Sequence, residues 1–207
     1  PLQQKSYLKI KAMWENMTEY ADSVFYDIST WTFPHAYNLE YSGLSSVEGL
    51  VGDKVMDIVF PQGAVVGGKA KYAYVFENKE LYSHNLVSDL LKKGLMVRIS
   101  KKPFKYRNGS QVKEFGYGTA IVQLQNQPLD ADQMYECISE SAKRNGVEVY
   151  ALNTGLMEDK DLGTSSNKSV ALPKVALITG SGMGVAESGE IWFMLDRRFG
   201  IPPALID

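Results

Sequence analysis

Hydrophobic and polar positions follow two rhythms along this chain, and each change of rhythm marks an element. YAYVFE (72–77), LMVRIS (95–100), GTAIVQLQ (118–125), VEVYAL (147–152) and KVALITG (174–180) are short runs rich in β-branched and aromatic residues, which predict strands; IPPALID (201–207) predicts one more. Between them the apolar spacing becomes helical, near Leu81 to Lys93, Asp132 to Asn145 and Glu187 to Arg198. Each of these helices closes on cations and a glycine: Lys92, Lys93 and Gly94; Lys143, Arg144 and Gly146; Arg197, Arg198 and Gly200. The glycines suit the left-handed residue that ends a helix, and the cations suit the negative end of its dipole. Asp130 followed by Gln133 predicts an N-cap with a capping box, and Asn108-Gly109 predicts a hairpin turn. Near the start, Ile10, Trp14, Met17 and Ala21 share one helical face.

Strand, helix and strand recur three times, so the expected fold is α/β, with a mostly parallel sheet and helices on both faces over residues 69–207. Residues 1–68 form a helical and irregular leading segment, whose run FYDISTWTFPHAY offers Phe25, Tyr26, Trp31, Phe33 and Tyr37 as an aromatic clasp. The closing strand, glycine turn, helix and strand cannot bury their faces alone. No methionine opens the sequence either, so the expectation is a piece of a larger protein, truncated at the C-terminal end of its sheet. In a parallel sheet the polar residues that follow the strands gather at one edge, where such folds bind ligands. Asn78, Gln125, Asn126, Asn153, Thr154 and Ser181 are the expected pocket.

Composition narrows the classes. The 207 residues are 44% hydrophobic and 22% charged with a net charge of −2, as suits one or two compact domains. Basic residues are scattered, without the electrostatic footprint that nucleic acid requires. No apolar run approaches the ~20 residues of a membrane span. The single cysteine, Cys137, excludes an internal disulfide and a thiolate-rich zinc site.

Candidate chemistry is sparse. His35 and His84 stand apart, and neither belongs to a paired metal-ligand motif, so no metal site is expected. Cys137 lies within a helix rather than on a strand-end elbow, which reads as packing. No catalytic residue is assigned. The turn Gly180-Ser181-Gly182-Met183-Gly184 follows a strand and opens a helix, the setting in which backbone N–H groups cradle an anion. The dinucleotide fingerprint needs glycine at position 185, where Val185 stands, although Asp207 falls near the place of the ribose-binding acid. Gly180, Ser181, Gly182 and Gly184 therefore join the candidate ligand-binding residues. A Rossmann-like nucleotide or small-anion binder, and a hydrolase or amidotransferase with an unconventional nucleophile, remain alternatives.

The runs SVFYDISTWTFPHAYNLEYSGL, FGYGTAIVQLQNQPL, VYALNTGL and PKVALITGSGMGVAESGEIWFMLDRRFGIPPALID resemble the part of large bacterial secreted zinc carboxypeptidases that lies beyond their metal-binding core. The resemblance covers nearly the whole chain. It implies a flavodoxin-like sheet of the class I glutamine amidotransferase type, downstream of a carboxypeptidase A-like domain. The family's H-x-x-E zinc pair has no counterpart at His35 or His84, and the amidotransferase pattern G-x-C-x-G is missing. The resemblance therefore implies a non-catalytic accessory domain without a cofactor of its own, with zinc held in the parent's peptidase domain. That peptidase domain is its expected partner, with a peptide or small ligand as a second, and a secreted or periplasmic location is implied.

Overall fold

The computed structural model describes residues 5–14, 33–37, 39–158 and 161–207. Met17, Ala21, Phe25, Tyr26 and Trp31, on which part of the leading helix and the aromatic clasp were to rest, lie outside the described residues. The chain divides into two compact units, Pro1–Asp57 and Ile58–Asp207. In the first, α1 (Tyr7–Ala12) and the single turn α2 (Phe33–Ala36) are tied by the Phe33 N–H, which donates to the Met13 carbonyl at 2.9 Å. Phe33 packs edge-on against both Trp14 and Tyr37, with ring centroids 6.2 and 6.0 Å apart.

The second unit carries β1 (Ala64–Val66), β2 (Ala73–Phe76), α3 (Ser83–Lys92), β3 (Val97–Ser100), β4 (Phe104–Asn108), β5 (Gln111–Phe115) and β6 (Ala120–Gln123). It continues with α4 (Ala131–Asn145), β7 (Glu148–Leu152), β8 (Asn167–Val170), β9 (Ala176–Ile178), α5 (Val185–Trp192), a π-helical stretch Phe193–Arg198, and β10 (Ala204–Ile206). Six strands form one sheet in the order β1-β7-β2-β6-β3-β8. Only β1 and β7 run parallel in it; the other four pairings are antiparallel.

The fold is α/β, but the sheet is mixed and mostly antiparallel where the sequence predicts a parallel one. The reason lies in what a strand–helix–strand unit encodes. It fixes the direction of its two strands and leaves open whether they are neighbours. β2 and β3, joined by α3, do run the same way, yet β6 lies between them; β6 and β7, joined by α4, run the same way with β2 between them. Two such units interleave, which is the split βαβ arrangement of ferredoxin-like folds. Among the described residues, the β9–α5–β10 unit is the one strand–helix–strand crossover whose strands pair directly, in parallel.

The two helices that cover this sheet, α3 and α4, also share one face instead of occupying both. Tyr74, Phe76, Val97, Ala120, Val122 and Val149 of the sheet pack against Leu86 and Leu90 of α3 and Met134, Ile138 and Ala142 of α4. Alternate residues, Ala73, Val75, Ile121 and Leu152, face the β4–β5 hairpin through Phe104, Tyr106 and Phe115. β2 is therefore buried on both sides, which is why its sequence is unbroken in apolar character and resembles a parallel strand. The hairpin turn falls one residue later than Asn108-Gly109: Asn108 pairs with Gln111, leaving Gly109-Ser110 at the tip. Gly109 takes φ +60 while Ser110 does not adopt positive φ, the pattern of a type II′ turn.

Local signals at the helix ends hold. Gly94, Gly146 and Gly200 take φ +81, +64 and +60 after their helices. Asp130 Oδ1 accepts the N–H groups of Asp132 and Gln133 at 3.0 and 2.8 Å, and Gln133 Oε1 accepts the Asp130 N–H at 3.2 Å. Asp130→Ala removes this capping box and is expected to cost about 1 kcal/mol. Urea unfolding checks it: the midpoint should fall while the slope stays unchanged.

Candidate functional site

The alternation that builds the core also builds a charged cleft at its rim. Two residues beyond the buried Val75, the chain places Glu77; two before Tyr150 it places Glu148; two before the buried Phe115 it places Lys113. Because Val75 pairs with Tyr150, the antiparallel register sets Glu77 opposite Glu148. With Lys79, Glu80 and the turn at Gly146 and Val147, these side chains line a cleft of about 300 Å³.

Its charges are held in place. Glu77 Oε2 lies 3.0 Å from Lys79 Nζ and 3.8 Å from Lys113 Nζ. The hydrogen bond from Lys79 to this carboxylate raises its ammonium pKa above the usual lysine value. Lys113 Nζ also stands 4.8 Å from the centre of the Tyr150 ring, a cation–π contact. The Tyr150 hydroxyl donates to Glu148 Oε2 at 2.8 Å. Burial, then this hydrogen bond and the Glu148 charge, push the Tyr150 phenol up to about 12. Tyr150 thus stays protonated across the physiological range and pins the carboxylate it serves. The Phe115 ring meets Tyr150 edge-on at 5.5 Å, so the hairpin core fixes the ring orientation.

Among the described residues three carboxylates and two ammonium groups line the cleft, and no serine, threonine, cysteine or histidine does. Both Glu77 and Glu148 already have partners. Such a wall orients a ligand carrying opposite charges.

The candidates from the sequence are scattered rather than gathered. Asn78 follows β2, and since β6 and β7 both run against β2, the residues after those strands lie at the other end of the sheet. There Gln125 and Asn126 border a pocket of about 170 Å³, with Asn126 at φ +58. Asn153 donates its N–H to the Tyr106 hydroxyl at 3.2 Å, and Thr154 Oγ1 accepts the Leu156 N–H at 3.1 Å, a turn-stabilising bond. Gly180, Ser181, Gly182 and Gly184 form the turn between β9 and α5, with Gly182 at φ +90. Asp207 lies beside Gly180, but the Glu187 carboxylate rests against Gly184, so the chain's own anion sits at the opening of α5.

Cys137 is buried on the sheet-facing side of α4, and burial pushes its thiol pKa up against the weaker opposing pull of Lys93. Among the described residues no group of three His, Cys, Asp or Glu side chains is placed to hold a metal ion. No helix among them is long and apolar enough to cross a membrane.

The sequence reading missed Glu77, Lys113, Glu148 and Tyr150 as a set. The signal was a charge two positions from an apolar or aromatic core residue on three strands, which means something only once those strands are known to meet. Compared with known proteins, the chain matches no family model, no curated protein and no solved structure.

Two measurements test these placements. A phenol whose folded pKa is about 12, against about 10 unfolded, adds stability below pH 10 that is lost as pH climbs through 12. Ultraviolet titration should show late-ionising tyrosine absorbance, to which the buried Tyr74, its phenol also pushed up by burial, contributes; Tyr150→Phe should delete one part of it, and the variant should lose less stability than the unmodified protein across that interval. Native thiol labelling of Cys137 at pH 8 should be slow and should accelerate only with unfolding; rapid labelling would contradict its burial.

Proposed function

We propose that this chain is a non-catalytic accessory domain of a zinc carboxypeptidase-like protein, one that docks to the peptidase domain of its own chain and holds a dipolar peptide or small ligand. The observation that carries the binding role is the fixed arrangement of Glu77, Lys79 and Lys113 beside the Glu148–Tyr150 pair in one cleft. A free carboxylate meets the lysines there, and a free ammonium meets Glu148 or Glu80. The resemblance of the sequence supports the parent's identity, and with it a bacterial, secreted or periplasmic setting. In this reading residues 69–207 stand in the place of that family's amidotransferase-like, flavodoxin-like domain, and the parallel pairing of β9 with β10 is the part of the sheet structure that supports it. The docking role has support in the exposed apolar side chains that this unit presents: Ile178, Ile191, Trp192, Phe193, Leu205 and Ile206. Apolar surface of this kind marks interaction sites.

Calorimetry with alanyl-alanine, against its N-acetylated and C-amidated form, tests the reading. The free dipeptide should bind, and Lys113→Met or Glu148→Gln should weaken it at least tenfold, with the interaction fading as salt rises. Equal binding of the blocked form would overturn the dipolar site. Hydrolysis of the dipeptide in the presence of zinc would overturn the non-catalytic assignment.

A further inference from the structure

A second pocket, unlike the charged cleft, opens where α3 crosses the far edge of the sheet. Val87 and Leu91 of α3, Ile99 of β3 and Val170 of β8 form its walls, and its volume is about 280 Å³. Phe199 and Ile201 complete it from the segment that follows the π-helical stretch. That segment is held: Lys92 Nζ donates to the Gly200 carbonyl, the Ile201 N–H donates to the Leu195 carbonyl at 2.8 Å, and the Phe199 ring meets His84 edge-on at 5.3 Å. The space is thus bounded by fixed elements.

Its chemistry selects among ligands. Among the described residues no Asp, Glu, Lys or Arg lines the pocket, and its one imidazole, His84, lies edge-on against Phe199, so an ion brought out of water would meet no fixed counter-charge. One polar group is left wanting. Asn78 borders the pocket, and its Oδ1 is buried without a hydrogen-bond partner. An unpaired buried acceptor is costly, and a donor from a ligand in the pocket would offset that cost once the Asn78 amide turns toward it. Size gives the last constraint. An apolar cavity of roughly 150 Å³ accepts one benzene ring, so a space nearly twice as large suits about two fused rings.

We propose that this pocket binds a small neutral compound of about two fused rings bearing one N–H or O–H donor, with Asn78 Oδ1 as the acceptor. The site shares no lining residue with the charged cleft, although Asn78 stands between Glu77 and Lys79, which belong to that cleft. Indole is the probe, and indene, which replaces the N–H by a carbon, is its control.

Nuclear magnetic resonance titration of the full chain should show saturable binding of indole, with shifts concentrated on α3 and residues 199–201. Indole should bind at least tenfold more tightly than indene. Asn78→Leu should abolish that preference, and Leu91→Trp should block both compounds by filling the space. Equal binding of indole and indene to the unmodified protein would overturn the role of Asn78 and needs no variant to fold. Absence of saturable binding, or shifts confined to the Lys113–Tyr150 cleft, would overturn the pocket itself.

Discussion

Burial of β2 on both faces is the constraint on which the second unit depends. Ala73, Tyr74, Val75 and Phe76 are all buried, so strand alternation must satisfy two different covers at once. The large side chains, Tyr74 and Phe76, point to the helices; the small ones, Ala73 and Val75, point to the hairpin. That division has a packing reason. The hairpin brings its own bulk in Phe104 and Phe115, stacked at 5.1 Å, and needs a shallow floor beneath it. A register slip of one residue would exchange the two sets and put aromatic rings against aromatic rings on one side and leave voids on the other. The Tyr74 hydroxyl is accommodated because it accepts the Ala70 N–H at 3.1 Å, so its polar atom is paired within the helix-side core.

The charged cleft is the continuation of this packing past its edge. From Val75 to Glu77, from Tyr150 to Glu148 and from Phe115 to Lys113, each strand passes in one pleat from apolar or aromatic packing to charge. Three strands that converge in the core must also converge where they leave it. The Tyr150 ring joins the two regions, since its face meets Lys113, its edge meets Phe115 and its hydroxyl serves Glu148. The cleft consequently inherits its rigidity from the hairpin core rather than from the ion pairs, which at exposed lysines contribute little.

What the sequence displays is local. Gly94, Gly146 and Gly200, the capping box at Asp130 and the hairpin near Gly109 were legible because each is written within a few neighbouring residues. Adjacency is written elsewhere. Nothing near β2 states that β6 and β7 flank it, because that arises from volume matching among segments distant in the chain. The scatter of Asn78 from Gln125, Asn126, Asn153 and Thr154 has the same origin, since antiparallel neighbours send their trailing residues to opposite ends of the sheet. Glu77, Lys113 and Glu148 were unreadable as a site for this reason too. Each alone is a charged residue at the end of a strand.

The β9–α5–β10 unit obeys a different rule from the sheet. Its strands pair in parallel, an arrangement that ordinarily has both faces covered, yet Ile178, Leu205 and Ile206 are exposed. Its described ties to α3 run through the short segment at Phe199 and Gly200, by one ring contact and one hydrogen bond from Lys92. That same segment is a wall of the apolar pocket. A ligand in the pocket would touch α3, the sheet edge and Phe199 together, adding apolar contact where the protein's own ties are few. Its binding free energy would therefore reinforce the attachment of the unit to the sheet, because whatever binds the joined arrangement more tightly than the separated one stabilises the joint.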